Sequence, residues 1–263
     1  MAKASVKKKS QTKPVTNAKS KPAKELTAKA FVQRLQKLQS DAELKKIQRY
    51  FKTEEGDYGH GDQFMGVRMG KLFELAKEFM EMPVKEIEKL LENKIHEVRA
   101  GAVSIMDKHS RDKKIAPERR KELFDLYIRR HDRINNWDLV DLGCLNMTGN
   151  YLFDRDRKVL YKLALSKNMW ERRSAIVSTA YFIRKDDVDD AFKIAELLVY
   201  DPEDLVHKGT GWMLRFAGTK SPEKLVNFLD KYASSMPRTL LRYSIEHFDK
   251  EKREYYMKLK KDV

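Results

Sequence analysis

The residues of this 263-residue chain best suited to chemistry lie in the stretch INNWDLVD, from Ile134 to Asp141. Trp137 and Asp141 stand four residues apart, so on a helix both project from one face, one a turn above the other. A large flat ring beside an acid is a candidate site. The same pair is also what a core tryptophan and a capping or ion-paired aspartate look like, because Trp is usually buried for its area and Asp is common near helix starts. What the rest of the chain sets around them decides between these readings.

The chain is 41% hydrophobic, enough for one large domain or one extended array. Its 55 Lys and Arg against 40 Asp and Glu leave a net charge of +15, which favours a polyanionic partner, nucleic acid or an anionic membrane surface. No run approaches the roughly 18 apolar residues of a membrane-spanning helix, and the start of the chain has no apolar core of a secretory signal. A cytoplasmic, nucleoid-associated monomer is expected. The single cysteine, Cys144, excludes an intrachain disulfide and a cysteine-based zinc cluster, and reads as a small buried residue. Residues 1–24 hold eight lysines and no acid, and should be disordered. They account for +8 of the charge, so residues 25–263, read as a single domain, remain basic at +7.

From Leu26 onward the punctuation is that of helix starts. Ser40 with Glu43 forms a capping box, and Pro83, Pro117, Pro202, Pro222 and Pro237 stand where first helical residues would be. No pair of alternating β-branched runs joined by a tight turn appears. The Gly-rich stretch GDYGHGD, Gly56 to Asp62, lacks the Gly-Lys-Ser/Thr ending of a phosphate loop and reads as a connection with special backbone angles. Helical segments with related beginnings recur at Arg68, Arg99, Asp141, Arg173 and His207, at intervals of 31, 42, 32 and 34 residues. Two-helix units of the HEAT or armadillo kind repeat at such periods, about 34 to 47 residues, and stack because no pair buries its apolar face alone. The expected fold is therefore all-α, a HEAT-like or armadillo-type solenoid with a basic concave face. Val103, Met106, Ile176 and Val177 should face its core.

Stacking equivalent helices brings Asp141, Arg173 and the His207 to Trp212 stretch onto neighbouring rungs. Lys208, Trp212 and Arg215 share one helical stripe at i, i+4 and i+7. A wall of indoles, one acid and several cations suits a ligand with sugar rings and phosphates.

These blocks resemble a known family. INNWDLVD, GNYL (Gly149 to Leu152), WERRSAIVST (Trp170 to Thr179), DLVHKGTGWMLR (Asp204 to Arg215) and MPRTLLRYSIE (Met236 to Glu246) are similar to the AlkD-type DNA alkylation repair glycosylases, and YFKT (Tyr50 to Thr53) and GDQFMGVR (Gly61 to Arg68) fit the same family. The resemblance runs from about Phe31 to the C-terminus. It implies a HEAT-like solenoid that excises cationic N3- and N7-alkylated purines from double-stranded DNA without cofactor or metal. It places the catalytic acid on Asp141 and the site tryptophans on Trp137 and Trp212. The backbone-contacting arginine falls on Arg173, with Arg172 adjacent and Lys208 and Arg215 in support. It further implies recognition from the backbone side without an enclosing base pocket, so that bulky adducts are accepted.

Two other readings compete. A non-catalytic HEAT-repeat module binding DNA or protein fits composition and repeats equally well, and only Trp137, Asp141 and Trp212 argue against it. A helical metalloenzyme is disfavoured because His60, His96, His109, His131, His207 and His247 show no HExxH or His-x-His spacing.

Overall fold

A computed structural model describes residues 25–51, 53–55 and 57–259. The lysine tail, Lys52 and Gly56 lie outside the described residues. In chain order the helices are α1 (Ala28–Gln36), α2 (Asp41–Phe51), α3 (Met69–Glu78), α4 (Val84–Leu91) and α5 (His96–Ser110). There follow α6 (Pro117–Arg129), α7 (Trp137–Gly143), α8 (Gly149–Leu152), α9 (Lys158–Ala164) and α10 (Met169–Ile183). The chain closes with α11 (Asp189–Leu198), α12 (Asp204–Gly218), α13 (Pro222–Tyr232), α14 (Arg238–Ser244) and α15 (Lys250–Lys258). Among the described residues β pairing is confined to isolated bridges, Gln39 with Val67 and Gln63 with Ile95.

Local chemistry sets many of these boundaries. Thr27, Asn136, Asn168 and Asp249 cap α1, α7, α10 and α15 by accepting a backbone N–H of the first turn. Pro117 and Pro222 open α6 and α13 as expected, where a missing N–H costs nothing. Pro83 and Pro237 sit one residue earlier, as N-caps of α4 and α14, and Pro202 lies in the loop before α12. The Ser40 box is not formed as expected: Ser40 N–H donates to the Gly66 carbonyl at 2.9 Å, and Glu43 pairs with Lys46 at 2.8 Å.

The helices form a two-layer, all-helical repeat solenoid. One layer runs α3, α5, α7, α10, α12 and α14, each packed on the next; α4, α6, α9, α11, α13 and α15 back it. Val103, Met106, Ile176 and Val177 are fully buried between the layers, as their spacing requires. Each such side chain contributes about 1.5–3 kcal/mol of transfer free energy. Helices α5 and α10 are buried along most of their length, so the apolar run of α10 is not confined to one stripe. The repeat anchors lie at or near the openings of first-layer helices. Arg68 is the N-cap of α3; Arg99 and His207 are fourth in α5 and α12; Asp141 and Arg173 are fifth in α7 and α10.

Candidate functional site

Helix α7 is short, and both of its ends are held. At its start Asn136 Oδ1 accepts Trp137 N–H at 2.8 Å, while the amides of Asn135 and Asn136 donate to Asp62 at 3.0 and 3.3 Å. These asparagines therefore anchor the Gly-rich loop as well as opening the helix. Within that loop Gly61 has φ +84°, the special backbone angle expected of a residue without a Cβ. After Gly143 the chain runs into a π-helical turn, Cys144–Thr148. The turn is held by Thr148 Oγ1, which donates to the Gly143 carbonyl at 3.0 Å. Gly143 is required by packing: a Cβ there would stand 2.3 Å from the Tyr127 ring. Cys144 is buried as expected, beside the Tyr127 hydroxyl at 3.4 Å, and burial pushes its thiol up.

Asp141 projects from α7 toward α10, where Arg173 receives it. Arg173 Nε and Nη2 donate to Oδ1 at 3.2 and 3.0 Å, and Nη2 also donates to Oδ2 at 3.0 Å. The Arg173 side chain is 6% exposed and the Asp141 side chain 19%. Burial raises the Asp141 carboxyl above its ordinary range, an effect that Arg173 opposes. The remaining Arg173 donor, Nη1, goes to the Leu205 carbonyl. Expected to reach a phosphate, Arg173 thus has its donors engaged within the fold, chiefly on the acid.

Trp137 is half-buried. It stacks on Phe51 (centroids 5.7 Å, 22° between planes), meets Tyr50 edge-on at 5.7 Å, and donates Nε1–H to Tyr58 Oη at 3.3 Å. Across from it stands Trp212 of α12, also half-buried. Tyr50, Tyr58, Trp137, Asp141, Arg173, Leu205, Lys208, Trp212, Arg215 and Tyr243 line one depression of about 410 Å³. All but one of the site residues expected from sequence converge there. The exception is Arg172, which pairs with Asp201 and donates to the Ser166 and Lys167 carbonyls, both at 3.0 Å. Lys208 pairs with Asp204 at 2.7 Å and Arg215 with Glu246, so both basic rim residues carry exchangeable surface partners.

Sequence reasoning gave no role to Tyr50, Tyr58 or Tyr243. Each lies inside a block singled out above, but the separation of 79 positions between Tyr58 and Trp137 hides their contact. On the far side of Trp137 and Asp141 a second, mainly apolar cleft of about 560 Å³ is lined by Phe51, Phe73, Leu142 and Leu145, with Lys46 and Arg111 among its charged residues. Among the described residues no group of three or more His, Cys, Asp or Glu is placed to hold a metal ion, and no helix is long and apolar enough to cross a membrane.

Comparison with known proteins accords with this arrangement. Residues 31–248, more than four fifths of the chain, match the family model described as DNA alkylation repair enzyme. No curated protein matches. Among solved structures the chain is similar to a predicted DNA alkylation repair enzyme from Enterococcus faecalis, with a TM-score of 0.62 and 17% identity, covering 81% of this chain and 97% of that one. At that identity the likeness bears on the fold.

Proposed function

The chain belongs to the DNA alkylation repair enzyme family, and on that premise we propose that it is a DNA glycosylase of the AlkD type, hydrolysing the glycosidic bond of cationic N3- or N7-alkylated purines in double-stranded DNA. The observation that carries this reading is the convergence of Asp141, Trp137 and Trp212 on one depression, with the acid oriented by Arg173.

An N3- or N7-alkylated purine carries a formal positive charge and departs as a neutral base, so its leaving group needs no proton. The protein has to stabilise the positive charge that develops on the deoxyribose and to place a water. Asp141 does the first through its negative charge. It does the second through acceptor capacity, since a carboxylate has about four lone-pair sites and Arg173 does not fill them all. The faces of Trp137 and Trp212 pack against the sugar, exclude bulk water and favour a cationic ring. Each tenfold in rate needs about 1.4 kcal/mol, so one oriented acid supplies a large share on an already weakened bond. Lys208 and Arg215 exchange their surface carboxylates for DNA phosphates; such surface pairs are worth about 0–1 kcal/mol and yield readily. A single chain suffices, with no metal or cofactor in the reaction, working on DNA in the cytoplasm. Arg172, committed to Asp201, serves the fold.

Incubation with duplex DNA carrying N7-methylguanine or N3-methyladenine tests the reading directly. Abasic sites should accumulate above the uncatalysed rate, and their absence overturns it. A large N7 adduct should be released as well, because recognition from the backbone side sets no limit on adduct size; its rejection alone counts against the open site.

A second reading, a non-catalytic DNA-binding solenoid, is favoured by one observation: Arg173 engages both Asp141 oxygens, as in a structural ion pair. Asp141→Asn separates the two. Retained DNA binding with lost base release supports the enzyme, and retained release removes Asp141 from the chemistry.

A further inference from the structure

Behind Phe51, which stacks on Trp137, runs a largely buried chain of alternating charges that the proposed chemistry leaves unused. Arg99 Nη2 donates to Asp62 Oδ1 at 2.6 Å. His96 Nδ1 lies 3.6 Å from Asp62 Oδ2, and its Nε2 bonds Asp138 Oδ2 at 2.8 Å. Arg99 and His96 come from the opening of α5, Asp62 from the Gly-rich loop, and Asp138 from α7, next to Trp137 and three residues before Asp141. Two cations face two anions, a balance that holds only while the imidazole carries its proton. Burial alone would push His96 down, but Asp138 and Asp62 outweigh it and raise it to about 9. The rings of Phe51 and Phe64 cover the imidazole at 4.9 and 5.1 Å, and Phe51 in turn stacks on Trp137, so the same group also backs the indole wall.

We propose that His96 is a positioning residue of the site: as the bridge of the Arg99, Asp62, His96, Asp138 chain it neutralises Asp138, so that Asp141, one turn away on α7, keeps its negative charge. The kinetic consequence rests on the glycosylase reading; the electrostatic one does not. With a neutral residue at position 96, Asp138 faces Asp141 as an unbalanced second anion, and a like charge disfavours ionisation. The other groups around Asp141 are Arg173 from α10, Tyr127 from α6 and the Cys144 thiol. Lys208 and Arg215 of α12 share its depression, and Lys46 of α2 and Arg111 after α5 share the cleft behind it. Arg173 alone among these binds the carboxylate directly, and Asp138 is the anion in the set. Around His96 the charged groups are Asp62, Asp138 and, beyond Asp62, Arg99; Glu97 of its own helix turns away to accept the backbone N–H groups of Met65, Gly66 and Val67.

The test is the pH profile of single-turnover N7-methylguanine release by the full chain, for wild type, His96→Gln, Asp138→Asn and the double variant. Beside it runs a carboxyl ¹³C NMR titration of Asp141 in the DNA-free protein, the signal assigned with Asp141→Asn. His96→Gln should move both the acid limb of the profile and the Asp141 titration to higher pH. Asp138→Asn should move both to lower pH, and adding it to His96→Gln should cancel the upward displacement. A merely structural role for His96 predicts lower activity with the limb and the titration in place and no rescue by the second substitution, and that result overturns the proposal. If His96→Gln does not fold, an unmoved Asp141 titration in Asp138→Asn overturns it equally. Wild type that releases no base while the Asp141 titration moves as expected sinks the glycosylase reading and leaves this inference standing.

Discussion

Between about pH 6 and pH 10 the chain should lose stability that a His96→Gln variant has already lost. The imidazole titrates near 6.5 in an unfolded chain and at about 9 in the fold, where Asp138 and Asp62 hold its proton against the penalty of burial. A folded value above the unfolded one means that the native state binds the proton more tightly. Its contribution is therefore fully present below 6.5 and gone once the pH has risen through about 9. At 1.36 kcal/mol per pH unit the interval corresponds to about 3 kcal/mol, a large fraction of the roughly 5–15 kcal/mol that holds a domain together. Asp62 works at the other end. Burial would raise its carboxyl, but His96, Arg99 and Asn135 outweigh that and lower it to about 2, so its contribution is present above 3.8 and lost as pH falls through about 2. The two values describe the same contacts and are not additive. Urea denaturation of wild type and His96→Gln across the alkaline range isolates the effect, because tyrosine and lysine titrations common to both cancel in the difference. That difference should shrink by about 3 kcal/mol from the low to the high end. Parallel curves would refute the charged imidazole and with it the balanced chain beneath α7.

Arg173→Ala should destabilise the fold by about 3–5 kcal/mol at neutral pH, because it strands a largely buried carboxylate, and by less at acid pH, where Asp141 takes up a proton; chemical denaturation at two pH values checks both parts. Gly143→Ala should cost about 1–3 kcal/mol through the clash with Tyr127, and should slow base release more than it weakens DNA binding, since it displaces the turn that follows Asp141; melting, fluorescence anisotropy and single-turnover release read the three quantities. DNA affinity should fall about 10³–10⁵-fold between 50 and 200 mM salt for roughly 6–10 phosphate contacts, and Lys208→Ala or Arg215→Ala should each lower the slope of log affinity against log salt by about one.

Much of the fold was legible because helix punctuation and the repeat are local signals. A proline at a helix opening or an asparagine before Trp137 acts within a few residues, and anchors at intervals of 31 to 42 residues mark stacked units wherever curvature places them. The repeat placed Asp141, Arg173 and Trp212 on the same wall. That α7 and α12, with α10 between them, bring the acid and the second indole to one depression depends on the curvature of the stack, which no sequence signal carries. What stayed hidden were contacts made across the stack by segments that do not repeat. Tyr58 reaches Trp137 from the Gly-rich loop, and Asp62 of that loop meets His96 of α5, whose other face meets Asp138 of α7. No periodicity links those positions. The π-helical turn after Gly143 was equally unreadable, because one extra residue in a helical run leaves apolar spacing nearly unchanged while altering where the following side chains point.

The adjacent arginines of α10 show how two neighbours in one repeat take different tasks. Arg99 donates to the Asn93 and Lys94 carbonyls, six and five residues before it, and to Asp62. Arg172 donates to the Ser166 and Lys167 carbonyls, again six and five residues before it, and to Asp201. Arg172 is therefore the structural counterpart of Arg99, and the sequence register that aligned Arg173 with Arg99 was displaced by one. Both arginines tie the loop before a helix to its first turn, the same task on two rungs that α7 separates. Consecutive helical residues project about 100° apart, so an arginine that follows the structural one points elsewhere, and at this rung it points at the acid on α7. Arg99 is followed by Ala100, which cannot do so. The contact with Asp141 at this rung is thus made from the position beside the repeated one, where the repeat imposes no residue of its own.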